Sequence, residues 1–408
     1  MKSLSPALGK GFFWMSFLRG SLRVITILRT AVLARIISKP QFGLFGIITL
    51  SLSLLEMLTE TGINVFLIQE KENLSKYLNT AWLVSILRGL LIFLLIVLVN
   101  PFIATFFKAP DSRLYLYAIS LVPLLRGFIN PACIKLQKEL LFRLEFLYRF
   151  AIIGFETLVT IVISFFYPTA MALIVGLILS AFLEVSLSFI LFSPRPIWGF
   201  DSRQFKIILH RGKWITGMGI LDYLFTTGDN IIVGRLLGTG ALGVYQNAYK
   251  ISTIPTFETQ DIFYKVTFPV YVKANMAFGL NRRLLIRNVA FYCLIVTVFG
   301  LVVSLMAKPL VHILLGPDWS EAVPVVRILG ILGISRGISF SFNSIFMTFQ
   351  KQKYVTLIIL TSVLGLALTI VPAVTRFGLS GAGISAVFGS LLSLPLAFYF
   401  AVRIISRL

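Results

Sequence analysis

Four residues near the start of the chain, Arg19, Arg23, Thr26 and Thr30, recur at intervals of four, three and four. At 100° per residue these positions fall within about 60° of one another, so on a helix they form one polar stripe. Arg29 lies off that stripe by about 80°, at its border. Guanidinium groups in such a row can hold phosphate or carboxylate oxygens through charge-assisted hydrogen bonds. Carboxylates form comparable sets: Asp222 and Asp229 with Thr226, Glu56 and Glu60 with Ser53 and Asn64, and Glu258 and Asp261 with Lys265. The last set follows Pro255, which predicts a kink there. Arg126 and Arg336, each followed by glycine, add two more cationic candidates. The carboxylates Asp222, Asp229, Glu56 and Glu60 are expected to balance the arginines in the empty state, and one of them to be available for a coupling H⁺ or Na⁺. Glu156 and Glu184 are assigned to packing or left without a role.

All of these charges fall inside long apolar runs, where each costs about 2.5–3.5 kcal/mol and faces a protein interior or a water-filled cavity. Interhelical ion pairing and snorkelling from helix ends remain the alternative for individual residues. Covalent chemistry finds little support. The two histidines, His210 and His312, stand in a connection and at a helix end, and no Cys/His metal spacing, phosphate loop or Gly-x-Ser-x-Gly motif occurs. The outer connections, such as "SKPQ", "YPT", "GTGA" and "RFGLS", are too short to build a catalytic surface.

The elements that position these residues follow from composition. Of 408 residues 57% are hydrophobic and 13% charged, against about 25% charged in soluble domains. Twelve continuous apolar segments long enough to cross a bilayer fall at 11–36, 42–68, 80–107, 114–134, 149–167, 170–192, 213–237, 243–272, 288–313, 324–349, 354–375 and 380–402. Continuous runs, without strand alternation, predict helices. The fold class is therefore an all-α integral membrane protein. The opening "MKSLSPALGK" resembles a signal-peptide start, but the following run carries three arginines and no small-residue cleavage site, which predicts a retained first helix. Cys133 and Cys293 fall inside separate segments and read as small apolar packers.

The net charge of +21 would suggest nucleic acid in a soluble protein. Its distribution argues otherwise. Connections that alternate from the N-terminus hold 21 basic residues and the opposite set holds 8. This bias predicts cytoplasmic termini and an even number of spans, with membrane lipids as the partner of the basic residues and no nucleic acid.

The chain also repeats itself. "VLARIISKPQFGLFG" at 32–46 aligns without a gap on "IVGRLLGTGALGVYQ" at 232–246, pairing Arg35 with Arg235 and Gly43 with Gly243. At the same offset Trp14 meets Trp214, Thr26 meets Thr226 and Arg29 meets Asp229. Further on, "NPFIATFFKAPD" (100–111) resembles "KPLVHILLGPD" (308–318), and the Arg-Gly pair at 126–127 recurs at 336–337. Gly43 and Gly243 are expected to begin the second helix of each copy, after a tight turn. Arg35 and Arg235 read as anchors at the membrane's outer edge. The expected division is an N-terminal lobe at 1–192, a cytoplasmic linker at 193–212 and a C-terminal lobe at 213–408. Two six-helix repeats of the same orientation are expected to be related by a pseudo-two-fold axis along the membrane normal, with the binding site between them.

The ordered set "VLARI…FGLFG", "GINVFLIQEKE", "APD…LQKELLF", "LGTGALGVYQNAYKISTIP", "FPVY" and "LLGPDWSEAVPVVRIL" is similar to bacterial lipopolysaccharide and capsule exporters. These are the oligosaccharidyl-lipid flippases of the multidrug/oligosaccharidyl-lipid/polysaccharide exporter superfamily, especially its colanic-acid-type branch. The resemblance implies two six-helix bundles in a V, with a cavity between helices 1, 2, 7 and 8. It implies alternating-access transfer of an undecaprenyl-pyrophosphate-linked oligosaccharide across the bacterial inner membrane, for O-antigen, capsule or exopolysaccharide. By helix position it assigns the pyrophosphate to Arg19, Arg23 and Arg29. A polysaccharide polymerase and a chain-length regulator are the implied protein partners, and no cofactor beyond a coupling ion is implied. The alternatives are a cation-coupled drug exporter, against which three arginines on one helix argue, and a membrane enzyme or scaffold of polysaccharide assembly. The lipid II flippase usually has two further C-terminal helices beyond the twelve segments found here.

Overall fold

The computed structural model describes residues 20–63, 67, 74–139, 141–277 and 281–406, with the side chains of 74–76, 206–218, 254, 273 and 275–277 left aside. Every regular element among the described residues is helical. They group into two compact units, Met1–Ile220 and Leu221–Leu408. Among the described residues, seven helices are long and apolar enough to cross a membrane, or eight if one bent pair counts as a single span. The protein is a multi-pass membrane protein.

In the first unit, α1 covers 20–33, α2 Lys39–Leu58 and α3 Leu74–Phe106. Two shorter helices, α4 (Ser112–Ile119) and α5 (Leu121–Gly127), lead into a 3₁₀ turn at Pro131–Ile134 and the short α6 (Lys135–Lys138). The chain bends by 73° between them. Pro131 cannot continue the preceding ladder, and Asn130 caps the new turn by accepting from the Ala132 amide at 2.9 Å. Then α7 (Phe142–Phe166) and α8 (Ala170–Leu191) complete the unit.

The second unit is organised around two folded helices. α9 (Ser202–Ala277) is 76 residues long, roughly 110 Å if straight. It is not straight, because Gly238 takes φ 83° and ψ −175°, a conformation open to glycine and strained for other residues. The Tyr245 hydroxyl, seven residues past the break, returns to Asp229 at 2.8 Å. The 54-residue α14 (Gln352–Ile405) breaks in the same way at Gly378, φ 57°. There the Thr369 and Ser385 hydroxyls meet across the fold at 2.5 Å. Between these lie α10 (Arg282–Leu305), α11 (Ala307–Leu314), α12 (Ala322–Phe340) and α13 (Asn343–Thr348).

The repeated corner now has a different pivot. The chain turns at Ser38, the extended N-cap of α2, and at its offset partner Gly238. Gly43 and Gly243, expected to begin their helices, lie buried inside them. A helix start needs a non-helical residue at the cap, and that residue is five positions earlier. Pro255 lies inside α9, and the non-helical dihedrals of that helix fall at Gly238.

Packing in unit 1 separates lipid from core on single helices. On α3, Ile92 and Ile96 are 2% and 0% exposed, whereas Leu98 and Phe102 are 76% and 69% exposed. One core cluster joins Ile48, Leu52, Ile92, Ile96, Leu116 and Ile174. Another joins Ile63, Leu67, Leu78, Val84 and Ile134. Between these clusters the helices approach closely through glycine, as membrane helices do where small residues let backbones touch. A Cβ on Gly127 would stand 2.8 Å from the Ser85 carbonyl oxygen, and one on Gly89 would strike the Pro123 carbonyl.

The polar connection after α8 belongs to this unit. Asn130 donates to the Phe192 and Pro194 carbonyls at 3.1 and 3.3 Å. Asn79 accepts from the Ile197 amide at 3.0 Å, and Thr80 bonds both Asp201 and Gln204. Trp198 packs on Trp82 with ring centres 5.2 Å apart.

The Gly127 crossing yields a direct expectation. Gly127→Ala should destabilise the protein by about 1–3 kcal/mol, the usual cost of overpacking. Gly154→Ala, where an added Cβ meets nothing within 4 Å, should leave the thermal midpoint unchanged. Thermal unfolding of both variants in the same detergent reads the difference.

Candidate functional site

The glycine crossing of α3 and α5 places two cations together. Arg88 precedes Gly89 and Arg126 precedes Gly127, and both arginines line a cavity of about 380 Å³ inside unit 1. Glu56 from α2, Glu145 and Arg149 from α7, and Glu184 from α8 line the same space. Five helices thus supply its charges, between the two apolar clusters of the core.

Most of these charges are paired locally. Arg88 donates to Glu60 at 2.8 Å and to the Glu56 carbonyl at 2.6 Å. Glu145 accepts from Arg149 at 3.1 Å and from Gln137 at 3.0 Å, both through Oε1. Arg126 is held more loosely, with its Nε 3.6 Å from Glu184 Oε2. Outside this cavity, Arg29 of α1 forms an ion pair with Glu156 of α7.

Unit 2 has its own cavity, of about 460 Å³, lined by Asp222, Gln260, Asp261 and Arg336 among others. Arg336 is only 7% exposed. Its Nη2 donates to the Phe225 carbonyl at 2.7 Å, and its Nη1 donates to the Tyr249 hydroxyl. The guanidinium carbon lies 4.2 Å above the Phe225 ring centre, a cation–π contact. No carboxylate of the described residues forms an ion pair with it. Beyond Tyr249, the Tyr245 hydroxyl donates to Asp229 Oδ2, and Asn230 gives Oδ1 two further hydrogen bonds, all three at 2.8 Å. Asp229 is 1% exposed and fully engaged.

The arginine and carboxylate sets predicted from helical spacing are therefore partly regrouped. Arg19 lies outside the described residues, and Arg23 is exposed. Arg29 is the cation of α1 that turns into its own unit, and its 80° displacement from the polar stripe is the reason. Among the described contacts, Arg29 pairs with Glu156, Glu60 with Arg88, and Asp229 bonds Tyr245 and Asn230. Helical phase gives the direction of a side chain and not the helix it meets. Glu156 and Glu184, left without roles, are partners of arginines. Glu56 and Arg126 share the first cavity; Asp222, Asp261 and Arg336 share the second. Glu258 is half-buried and lines neither. Asp261 pairs with Lys265 one turn on at 3.0 Å.

Arg88, Arg149, Glu145 and the Phe225–Tyr245–Tyr249 aromatic group escaped sequence reasoning. Arg88 had a signal, since Arg-Gly at 88–89 repeats the pair at 126–127 and sits in the most apolar helix of the chain, mean hydropathy 2.7. Among the described residues, no group of three or more His, Cys, Asp or Glu could hold a metal ion. What the cavities offer is hydrogen bonding and charge of both signs, enclosed by apolar helices.

Residues 32–324 match the model of a family described as polysaccharide biosynthesis protein. The chain belongs to this family. It is 27% identical over 331 residues to the lipopolysaccharide biosynthesis protein WzxC of Escherichia coli (strain K12), an alignment covering 79% of this chain and 66% of that one. The chain thus spans slightly less than two thirds of that relative's length. In fold it is similar to the lipid II flippase MurJ in an inward closed conformation, TM-score 0.74 at 13% identity, covering 96% of this chain and 89% of that one. It is also similar to an inward-facing multidrug resistance transporter of the MATE family and MOP superfamily, TM-score 0.70 at 13% identity, covering 95% of each chain. These two likenesses show that the chain shares the fold of both structures.

The Arg29–Glu156 pair is open to a double-mutant cycle. Glu156→Gln should destabilise the protein by about 1–3 kcal/mol, because it leaves a half-buried guanidinium without its counter-charge. Arg29→Gln combined with Glu156→Gln should recover most of that loss in thermal unfolding. Additive losses would mean that the two residues do not interact.

Proposed function

We propose that this protein flips a lipid-linked oligosaccharide, with undecaprenyl pyrophosphate as the carrier, from the cytoplasmic to the outer leaflet of the bacterial inner membrane. Surface polysaccharide synthesis is the process it serves. Membership of the polysaccharide biosynthesis family supports this reading, as does the likeness in fold to a lipid II flippase. The single observation that carries it is charge enclosed in apolar helices: arginines on α1, α3, α5 and α12 that a bilayer would otherwise reject. In this reading the chain crosses the membrane twelve times, as two six-helix bundles related by a pseudo-two-fold, with both termini cytoplasmic. No covalent bond is made or broken.

Arg19 and Arg23 draw the pyrophosphate by charge-assisted hydrogen bonds, and the polyprenyl tail stays in lipid. Arg29 can join them by exchanging Glu156 for a phosphate oxygen, so its ion pair sets the resting state. A carboxylate released by such an exchange is a suitable carrier for a coupling H⁺ or Na⁺. Rocking of the two bundles then exposes the site to the other face.

Complementation of a flippase-null strain tests the reading. Arg23→Ala and Arg29→Ala should each lower surface polysaccharide about tenfold or more at equal protein level, as expected from losing one hydrogen bond to a charged group, about 1.5–3 kcal/mol. Full complementation by Arg19→Ala, Arg23→Ala and Arg29→Ala alike would overturn the anion site.

A further inference from the structure

The cavity inside unit 1 has unspent hydrogen-bonding capacity. Its volume of about 380 Å³ lies within the range of ligand pockets, about 300–1,000 Å³. At about 30 Å³ per water it has room for roughly a dozen. Three guanidinium groups and three carboxylates line it, so its wall carries no dominant sign.

Two atoms on that wall lack partners. Glu145 is 3% exposed, and both of its hydrogen bonds fall on Oε1, so the buried Oε2 has none. The buried Arg126 Nε also lacks a hydrogen bond, its ion-pair partner being 3.6 Å away. An acceptor and a donor without partners thus belong to two residues that line the same cavity. A phosphate would serve Arg126 but be repelled by Glu145; a metal cation would serve Glu145 but be repelled by the three arginines. A hydroxyl donates and accepts through one oxygen. A ring bearing several hydroxyls can satisfy both atoms without adding charge. Ile92, Pro123 and the Tyr148 ring supply apolar lining suited to the C–H face of such a ring.

The geometry points to this cavity as the seat of an uncharged pyranose unit of the carried oligosaccharide, held by Arg126 and Glu145. The assignment rests on the flippase reading and adds to it a saccharide subsite separate from the arginines of α1.

A native thiol reports on the site. Cys133 lines the cavity, and the other cysteine, Cys293, lies in unit 2. Full-length Cys293→Ser protein in nanodiscs leaves Cys133 as the single target of N-ethylmaleimide. Two probes are compared: the lipid-linked oligosaccharide that accumulates in the flippase-null strain, and undecaprenyl pyrophosphate without sugar. Native mass spectrometry measures the binding of each separately. At ten times its Kd, the glycosylated lipid should slow Cys133 labelling roughly tenfold, and the bare lipid should leave the rate unchanged. In a Glu145→Gln, Cys293→Ser protein, about tenfold more glycosylated lipid should be needed for equal protection, since the lost hydrogen bond is to a charged group. Affinity for the bare lipid should not change. If the glycosylated lipid binds without protecting Cys133, the cavity holds water only and the inference is overturned while the flippase reading stands. Equal protection by both lipids would place the pyrophosphate there and overturn it too. If neither lipid binds the Cys293→Ser protein, the flippase reading itself fails.

Discussion

A guanidinium group enclosed by apolar helices needs partners supplied by the protein, and much of the polar architecture follows from that requirement. Arg29 meets Glu156, Arg88 meets Glu60 and a carbonyl, and Arg336 meets a tyrosine hydroxyl, a carbonyl and an aromatic face. Each solution lies within one helical unit. Arg336 is the least conventional of them, because its charge is balanced by dipoles and a ring where an ion pair would be the obvious device. Arg126, with Glu184 at 3.6 Å, sits near the opposite limit and has the slackest restraint of the four. Differences in how firmly each arginine is held separate the groups that stabilise a unit from those that can exchange partners.

Similar solutions recur at positions that repeat in the sequence. Arg126-Gly127 and Arg336-Gly337 occupy matching places, and in both the glycine admits a neighbouring helix. Gly127 receives the Ser85 backbone of α3, and Gly337 receives the Val296 side chain of α10. The arginine beside each contact then lines a cavity in its own unit. The two arginines have different direct partners: Glu184 lies beside Arg126, whereas a tyrosine hydroxyl, a backbone carbonyl and an aromatic ring hold Arg336.

The helical class and the multi-pass membrane character were legible because each depends on local periodicity. Arg-Gly at 126–127 and 336–337 identified two cavity residues because the repeat preserved both the cation and the close contact. Tertiary partners were not legible. Spacing placed Arg29 at the edge of a stripe, and nothing in the sequence joined it to Glu156, 127 residues away. Arg88 was passed over because it has no second charged residue at helical spacing to draw attention. Gly43 and Gly243 misled for a related reason. Their identity across the repeat was read as a turn, whereas the turn falls on Ser38 and Gly238, which differ from each other.

The connection after α8 has an architectural consequence. Its residues look like slack between two copies of a duplicated gene, yet Asn130, Asn79 and Thr80 bind them in sequence to the first copy. The first half therefore does not end where its last apolar segment ends. A cut at residue 192 would strip Asn130 of the Pro194 carbonyl, leave Asn79 and Thr80 without their cross-chain partners, and uncover Trp82. As a folding module, the N-terminal half owns its connector at least through Gln204.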